Sequence, residues 1–574
     1  MPASPSFPQE LDCDVLIVGS GAAGLSAAVT AAWHGQKVIV VEKDPVFGGA
    51  TAWSGGWAWV PCNPLAQRAG IIEDVELPRT YLRHELGERY NPAIIDAFLE
   101  AGPNMVSFFE RHTALQFADG NGIADIHGDT PGAGTGGRSV IAAPYDARHI
   151  NRKLLGRLRR TMRETSFMGM PIMAGADLSA FLNLTRSWSA AWHVTRRFSR
   201  HLLDLALRGR ALQLVNGVAL VGRLAKSAED LGVQLWESAP VSELLYQDLR
   251  VCGAVVNTAN GPVRIQARRG VVLAAGGFAN DIERRKALFP RTPTGHEHLA
   301  LPPVAVSGDG LRLGESVGAQ VETDLHSPVA WAPVSRVPHA DGSLGHFPHI
   351  IERAKPGIIG VLSNGQRFVN EADGYFDYVS AMVANAPAGE EVASWLICSH
   401  AFQRRYGLGM SRPFPVPLAP FIRSGYLKRG ATLEALADAC GIDRNGLTNT
   451  VAQYNQHARH GEDPLFGRGS TPYNRKQGDA LHSPNPCVAP IEQGPFYAVK
   501  VEPGCFGTFA GLKVNAQAQV LDPHGQAISG LYAAGGDMAS IMGGHYPAGG
   551  INLGPALTFG YIAARHIAGV RDYE

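Results

Sequence analysis

The stretch "CDVLIVGSGAAGLSAAVTAAWHGQKVIVVEKD", residues 13–44, contains the strongest fold signal in the chain. Residues 15–18 form a continuous apolar run, as expected of a parallel strand that is covered on both faces. A glycine-rich turn and a helical segment follow, and a second apolar run at residues 38–41 ends at Glu42. This order of strand, glycine turn, helix, strand and acid predicts a Rossmann-like dinucleotide-binding unit.

The glycine turn has the G-x-G-x-x-G pattern, formed by Gly19, Gly21 and Gly24. The first glycine permits the turn, the second lets the backbone approach a pyrophosphate, and the third lets helix and strand pack closely. Ala22 and Ala23 begin the helix, whose N-terminal N–H groups would bind that pyrophosphate. A purely structural glycine turn is the alternative, but the two strands and the terminal acid favour a dinucleotide site.

Three further segments favour FAD over NAD. The loop "GGATAWSGGWAW" (residues 48–59) can bring backbone amides deeper along an extended dinucleotide, and "RRGVVLAAGGFAND" (268–281) and "ISGLYAAGGDM" (528–538) are strands that end in glycine. We expect all of them to meet at one FAD. The first loop contains no histidine for covalent attachment, so we expect the FAD to be non-covalent. The predicted FAD-binding residues are Gly19, Gly21, Ala22, Ala23, Gly24, Glu42, Lys43, Gly49, Ala50, Thr51, Ser54, Gly55, Gly56, Ala275, Gly276, Gly535, Asp537 and Leu553.

Composition narrows the class of protein. The chain has 574 residues, with 51 Lys plus Arg against 51 Asp plus Glu, so no overall charge points to nucleic acid. Seven cysteines occur without C-x-x-C spacing, which predicts neither a disulfide scaffold nor a metal site. The first residues have no basic and apolar leader pattern, so we expect a cytoplasmic protein.

The length and the position of the cofactor segments predict two domains. Residues 1–300 and 500–574 would form a Rossmann-like α/β FAD-binding domain, and residues 301–499 an inserted α+β catalytic, or capping, domain. Within the insert, "GVLSNGQRFVNEADGYFDYVSAM" (360–382) predicts a strand, an Asn-Gly turn, a second strand and the start of a helix.

Residues 152–210 are unusually basic. This segment contains twelve Lys or Arg residues and three acids, with aromatic and apolar residues between the arginines. One interpretation is a helix that lies on the anionic inner face of a membrane and gives access to an apolar substrate. The other is a solvated basic face or a subunit contact.

Five segments together resemble the 3-ketosteroid dehydrogenases, especially the Δ1 enzymes, within the fumarate reductase-like FAD-dependent oxidoreductases (FAD-binding protein 2 family). They are "GGATAWSGGWAWVPCNP", "NEADGY", "DPLFGRG", "GLYAAGG" and "HYPAGGINLGPALTFGY". The resemblance implies a flavoprotein of steroid and lipid breakdown that introduces a carbon–carbon double bond next to a ring ketone. Its substrate would be a hydrophobic ketone, and its electron acceptor a quinone-like compound or, in vitro, a dye.

The resemblance also implies roles for single residues. The hydroxyl of Tyr546 and the backbone N–H of Gly550 would hold the ketone oxygen, and Tyr375 would remove the α-proton. A third tyrosine of the family belongs to a segment that here reads "GIADIHGDTPG" (122–132) and has no tyrosine. His127 is the candidate proton acceptor in its place. Alternatively, Tyr375 and Tyr546 are ordinary buried tyrosines with satisfied hydroxyls.

Other functions stay open at this point. A smaller cyclohexanone-like ketone or a Δ4-(5α)-ketosteroid would use the same chemistry and the same motifs. A fumarate reductase or succinate dehydrogenase would need arginines for two carboxylates, yet Tyr375 stands at one such position and residues 543–560 contain no arginine. His326, which faintly resembles a histidine of those enzymes, is the only feature in favour of that alternative. A flavin-binding redox sensor without turnover is a further alternative, which the two tyrosines disfavour.

Overall fold

The computed structural model describes residues 9–570. Most of the N-terminal stretch on which the absence of a leader is predicted, and residues 571–574, lie outside this range. The strands are β1 Gln9–Val18, β2 Val38–Val41, β3 Trp57–Trp59, β4 Phe117–Asp119, β5 Ser139–Ala142, β6 Tyr145–Asp146, β7 Gln213–Leu214, β8 Gln234–Trp236, β9 Val241–Gln247, β10 Arg250–Thr258, β11 Gly261–Leu273, β12 Leu299–Ala300, β13 Val321–Glu322, β14 Val329–Pro338, β15 Leu344–Pro348, β16 Ile358–Val361, β17 Ser394–Ser399, β18 Lys428–Gly430, β19 Phe496–Thr508, β20 Gly511–Leu512, β21 Gln519–Leu521 and β22 Ala527–Ala533.

The helices are α1 Ala22–Trp33, α2 Pro64–Arg68, α3 Glu76–Leu86, α4 Pro92–His112, α5 Arg152–Arg157, α6 Ala176–Leu182, α7 Trp188–Arg208, α8 Asn216–Asp230, α9 Ile282–Leu288, α10 Asp309–Ser316, α11 Tyr375–Asn385, α12 His400–Tyr406, α13 Ala419–Arg423, α14 Leu433–Cys440, α15 Arg444–Ala458, α16 Pro472–Gln477 and α17 Leu553–Ala568. Local sequence explains several of the ends. For example, the Ser187 side chain caps α7 at its start, and Gly209 ends it in the left-handed conformation, φ 69°.

The first sheet has the order β21-β22-β10-β11-β1-β2-β8. β1 pairs in parallel with both β2 and β11, and β22 pairs in parallel with β11. The carboxyl ends of these four strands therefore meet at one edge of the sheet, where ligands of parallel α/β folds bind. This parallel sheet confirms the predicted α/β fold class.

Two glycines let α1 pack closely against its neighbours. A Cβ atom added at Gly24 in α1 would lie 2.0 Å from the Gly19 carbonyl oxygen, and one added at Gly560 in α17 would lie 2.4 Å from the Ala23 carbonyl oxygen. Side chains cannot occupy such distances, so the glycines bring α1 against both β1 and α17. The third glycine of the G-x-G-x-x-G pattern thus packs the helix rather than contacting a ligand.

The second sheet has the order β15-β14-β19-β17-β16, with β12 and β18 also paired to β19. Strand β19 runs through positions 499 and 500, where the sequence predicted the end of the insert. The division of the chain into domains stays a prediction, and we propose that the insert extends to Thr508. The predicted second strand after the Asn-Gly turn is wrong, because residues 366–370 form no strand.

The basic segment forms α5, α6 and α7. Trp188, Trp192 and Leu207 of α7 are 94%, 71% and 70% exposed. No helix within residues 9–570 is both long and apolar enough to cross a membrane.

Candidate active site

A single cavity of about 1520 Å³ extends from the carboxyl edge of the first sheet to the second sheet. Typical small-molecule sites measure roughly 300–1,000 Å³, so this cavity has room for a dinucleotide and a second ligand. Of the predicted cofactor residues, those that line it are Gly19, Gly21, Ala22, Ala23, Glu42, Lys43, Gly49, Ala50, Thr51, Ser54, Gly55, Gly56, Ala275, Gly276, Gly535 and Leu553. Tyr375, Tyr546 and Gly550 line it as well. Gly24, Asp537 and His127 do not.

Glu42 stands at the end of β2, as predicted, and is almost fully buried. Its carboxylate accepts hydrogen bonds from the Ser20 N–H at 3.2 Å, from the Ser20 hydroxyl at 2.5 Å and from the Asp44 N–H at 2.9 Å. Burial raises the pKa of Glu42, and these bonds oppose that effect. The carboxylate is therefore held in place at the nucleotide end of the cavity.

Two other predicted residues join separate segments at this end. The Thr51 hydroxyl accepts a hydrogen bond from the Ala22 N–H at 3.0 Å, so the second glycine loop is attached to the start of α1. The Lys43 ammonium donates to Asp309 and to the Ser307 hydroxyl, both at 2.7 Å. Lys43 thus connects the first sheet to residues that follow position 300.

Asp537, which the sequence predicts to bind FAD, does not line the cavity. Its side chain is fully buried and accepts hydrogen bonds from the backbone N–H groups of Ala275, at 2.5 Å, and Gly277, at 2.9 Å. Burial raises the pKa of Asp537 to about 6. The carboxylate therefore joins the loops that follow β11 and β22, under the cavity wall.

Tyr375 and Tyr546 meet at the other end of the cavity, although 171 positions separate them in the chain. The Tyr375 hydroxyl donates to the Tyr546 hydroxyl at 2.8 Å, and the Asn552 side-chain amide donates to the same oxygen at 3.2 Å. Because the Tyr546 oxygen accepts two hydrogen bonds, its own proton is free to point at a ligand. The lone pairs of the Tyr375 oxygen are equally available.

Gly550 lies next to this pair in a conformation that favours glycine, with φ of 104°. A Cβ atom there would lie 2.7 Å from the Trp59 backbone nitrogen. The Gly550 carbonyl accepts a hydrogen bond from that nitrogen at 3.1 Å. Within residues 9–570 its N–H has no hydrogen-bond partner, so it can donate into the cavity.

A buried ion network holds the chain just before Tyr375. Glu371 is fully buried and accepts hydrogen bonds from Arg367 at 2.7 Å and 2.6 Å, from Arg468 at 3.0 Å and from the Gly360 N–H at 3.0 Å. Arg367 also pairs with Asp463 at 2.8 Å. Glu371, the glutamate of the "NEADGY" segment, is therefore an anchor for the turn that leads into α11, and Tyr375 is the first residue of that helix.

The surroundings of the two tyrosines are apolar. The Tyr375 ring lies 5.2 Å from the Phe506 ring, and the Tyr546 ring lies 5.8 Å from the Phe376 ring and 5.9 Å from the Phe509 ring, between ring centres. Burial raises the pKa of both hydroxyls well above that of an exposed tyrosine. Both phenols are therefore neutral at physiological pH.

His127 lies outside the cavity and between two carboxylates. Its Nδ1 is 2.5 Å from Glu85 and its Nε2 is 3.3 Å from Asp377. Burial lowers the pKa of His127, but the hydrogen bonds and charges of Asp377 and Glu85 outweigh it and raise the pKa to about 10. A protonated imidazole is a poor proton acceptor, so the geometry gives no support to that role.

Asn552 and Tyr473 also line the cavity, although they are not among the residues that the sequence predicts for the site. Asn552 lies within the C-terminal glycine-rich segment, six positions after Tyr546. Tyr473 follows "DPLFGRG" by four positions. Their proximity to motifs already singled out was the available signal.

The family model described as "FAD binding domain" matches residues 14–553. The chain belongs to this flavoprotein family. It is an FAD-dependent oxidoreductase. It is 41% identical to 4-oxocyclohex-2-ene-1-carboxylate 5-dehydrogenase of Sinomonas cyclohexanicum, over 97% of this chain and 94% of the relative. It is 34% identical to 3-oxosteroid 1-dehydrogenase of Mycobacterium tuberculosis, over 97% and 98% of the two chains.

A solved structure agrees with these relatives. The 3-ketosteroid Δ1-dehydrogenase of Sterolibacterium denitrificans, in complex with 1,4-androstadiene-3,17-dione, superposes with a TM-score of 0.89 and 34% identity. The match covers 97% of this chain and 99% of that one. The predicted family is thereby confirmed over nearly the whole length.

The residues that line the cavity also fit FAD, independently of the relatives. The N-terminus of α1 and the Glu42 carboxylate lie where a pyrophosphate and a ribose would bind. Gly21 and Gly49 leave open space where a backbone must approach a ligand, since an added Cβ would meet no atom closer than 3.4 Å at either position. Within residues 9–570 no cluster of three or more His, Cys, Asp or Glu side chains is placed to hold a metal ion.

Proposed function

We propose that the chain dehydrogenates the carbon–carbon bond next to a ring ketone, with 3-ketosteroids as substrates and the 1,2 bond as the site of reaction. The observation that carries this proposal is the Tyr375–Tyr546 hydrogen bond of 2.8 Å at the apolar end of the cavity. The 3-oxosteroid 1-dehydrogenase relatives support the substrate class. The cavity volume of about 1520 Å³ is large enough for FAD and a multi-ring ketone.

In this proposal Tyr546 and Gly550 bind the ketone oxygen. The Tyr546 hydroxyl and the free Gly550 N–H each donate one hydrogen bond, which strengthens as the carbonyl becomes enolate-like. Neutral donors suit a neutral ketone. The absence of arginine from residues 543–560 is consistent with such a substrate.

Tyr375 takes the α-hydrogen as a proton. Because its hydroxyl donates to Tyr546, its own proton can pass to Tyr546 while Tyr546 gives a proton to the ketone oxygen. The α C–H bond breaks, the ketone becomes an enol, and negative charge develops on the Tyr375 oxygen while the protons move. This sequence agrees with the raised pKa of both hydroxyls. When bound, FAD supplies the acceptor for the hydride that leaves the β-carbon, and the proton on the enol oxygen then leaves through the tyrosine pair as the carbonyl re-forms.

Anaerobic reduction of the bound flavin tests the proposal. We expect the flavin absorbance to bleach with 4-androstene-3,17-dione and not with succinate. Bleaching by succinate alone would overturn it. We expect Tyr375→Phe to retain FAD and to lose the rapid bleaching, and normal turnover by that variant would remove Tyr375 from the mechanism.

A smaller ring ketone that carries a carboxylate is the second candidate. The relative with 41% identity is named for such a substrate. Lys355 and Arg412 line the cavity. The Lys355 ammonium donates to the Gln477 carbonyl, and the Arg412 guanidinium donates to the Glu164 carbonyl. Neither cation forms a salt bridge within residues 9–570, so a substrate carboxylate would find a charged partner there. Bleaching by 4-oxocyclohexanecarboxylate and not by the steroid would select this candidate.

We also propose that α7 rests on an anionic membrane surface. One exposed face combines Trp188, Trp192 and Leu207 with the exposed arginine Arg196. Tryptophan and arginine on one helix face are typical of interfacial helices. The neighbouring α6 lines the cavity through Leu178 and Phe181, among others, so an apolar ketone could pass from the bilayer to the site.

A further inference from the structure

Tyr473 is a buried tyrosine whose hydroxyl the proposed mechanism does not use. Its side chain is 6% exposed and lines the cavity together with Tyr375 and Tyr546. All three belong to the same cluster of buried residues. Within residues 9–570 the Tyr473 hydroxyl has no hydrogen-bond partner, which is uncommon for a buried phenol.

The backbone around Tyr473 is attached to the segment that leads into Tyr375. Tyr473 is the second residue of α16, and the next residue, Asn474, is fully buried. The Asn474 side chain accepts a hydrogen bond from Asn370 at 2.9 Å and donates one to Asp373 at 2.9 Å. Tyr473 therefore keeps a fixed place relative to Tyr375 without any bond from its own hydroxyl.

The charge of one buried cation acts on this hydroxyl. Arg353 is 1% exposed and donates to the backbone carbonyls of His349 and Glu371 at 2.7 Å and 2.8 Å. Burial lowers the pKa of Arg353, and Tyr473 is the ionisable neighbour that opposes this most. Arg353 in turn opposes the rise that burial causes in the pKa of Tyr473. Arg353 forms no salt bridge with any carboxylate of residues 9–570, so its charge favours negative charge near Tyr473, while the carboxylates of Asp377 and Asp373 oppose it.

We propose that Tyr473 assists the base, donating a hydrogen bond to the Tyr375 oxygen while that oxygen exchanges protons with the ring ketone. The inference rests on the proposed function. Catalytic hydrogen bonds commonly tighten only when substrate is bound, so the free hydroxyl is in the state expected before binding. Its role is to stabilise charge on Tyr375, with Arg353 behind it.

The test compares Tyr473→Phe with the matched control Tyr454→Phe. Tyr454 is also a buried tyrosine whose hydroxyl has no partner, but it lies outside the cavity lining. Both FAD-loaded variants are mixed anaerobically with the ring ketone that bleaches the wild type. We expect Tyr473→Phe to retain FAD and to slow flavin reduction by about 10²-fold or more, with the rising limb of the pH–rate profile moved to higher pH. The control should match the wild type.

A second variant separates assistance from a structural role. A fluorinated tyrosine at position 473 keeps the shape of the side chain and makes the hydroxyl a stronger donor, so we expect the rising limb to move to lower pH. A Tyr473→Phe rate within about threefold of the wild type overturns the inference. A slow rate without any movement of the pH profile in either variant also overturns it. If no ring ketone bleaches the wild type, the proposed function fails together with this inference.

Discussion

Replacing Tyr546 with phenylalanine removes one oxygen and leaves the ring. The Tyr546 ring keeps its contacts, since its centre lies 5.0 Å from that of Tyr375 and 5.8 Å from that of Phe376. The lost oxygen accepts hydrogen bonds from Tyr375 and Asn552 and donates to the ketone in the proposed mechanism. The variant therefore measures the contribution of the Tyr546 hydroxyl separately from that of the ring.

The expected effect on rate follows from that loss. Removal of one preorganised donor to a developing oxyanion costs about 10²–10³-fold, or roughly 2.7–4 kcal/mol, and Gly550 keeps the other donor. The proton path from Tyr375 to the ketone oxygen also passes through Tyr546, so the loss should lie at the upper end. The Tyr375 hydroxyl and the Asn552 amide face the cavity and can bond to water, which limits the stability cost to about 1–2 kcal/mol.

Stopped-flow measurement of anaerobic flavin reduction checks the rate, and thermal unfolding checks the stability. Tyr378→Phe is the matched control, because Tyr378 is also a fully buried tyrosine and lies on α11 together with Tyr375. It bonds to the Ser394 hydroxyl at 2.9 Å instead of facing the cavity. We expect the control to lose similar stability and to keep the full rate. Flavin reduction by Tyr546→Phe within about threefold of the wild type would refute the oxyanion role.

Three further predictions concern the surroundings of the site. Glu371→Gln breaks a buried ion network and should lower the free energy of unfolding by about 3–5 kcal/mol in chemical denaturation, and an unchanged stability would contradict its anchoring role. His127→Gln should leave flavin reduction unchanged and destabilise the fold. The carboxylates of Asp377 and Glu85 raise the pKa of His127 from 6.5 to about 10 in the folded protein. The stabilisation of the fold by protonated His127 is therefore complete below about pH 6.5 and is lost as pH rises through about 10. Thermal unfolding of the wild type and of His127→Gln across this pH range should show that their difference in stability shrinks as pH rises. Slow flavin reduction by His127→Gln would instead indicate that His127 takes part in the reaction. Replacing Trp188 and Trp192 with alanine should weaken binding to anionic vesicles by about tenfold or more in a flotation assay and leave binding to neutral vesicles weak, whereas equal binding by both proteins would exclude α7 as the contact.

Short-range sequence patterns were sufficient to predict the nucleotide end of the site. The apolar runs of β1 and β2, the glycine turn and Glu42 lie within about thirty positions of one another, and strand ends of a parallel sheet converge wherever the chain between them runs. Sixteen of the eighteen predicted cofactor residues line the cavity for this reason. The roles of those residues toward FAD stay predictions.

The orientation of side chains could not be predicted in the same way. Asp537 stands at the expected strand end, but the unpaired N–H groups of the loop after β11 attract its carboxylate away from the cavity. His127 has the residue type of a proton acceptor, but Glu85 and Asp377 come from two distant helices and keep it charged. The end of the insert could not be predicted from local sequence either, because β19 joins the second sheet through pairing with β14 and β17, which lie far away in the chain.

The two ends of the substrate region have different electrostatic character, and this difference bears on specificity. In the proposed mechanism the ketone end offers neutral donors, from Tyr546 and Gly550, within apolar walls, so we expect it to accept any ring ketone of suitable shape. Lys355 and Arg412 lie on other parts of the cavity wall and carry charge that no salt bridge within residues 9–570 neutralises. We therefore expect chemistry and substrate choice to depend on separate residues. Changes at Lys355 or Arg412 should alter KM for a carboxylate-bearing ketone and leave the rate of flavin reduction by a bound neutral ketone unchanged, because neither side chain touches the tyrosine pair.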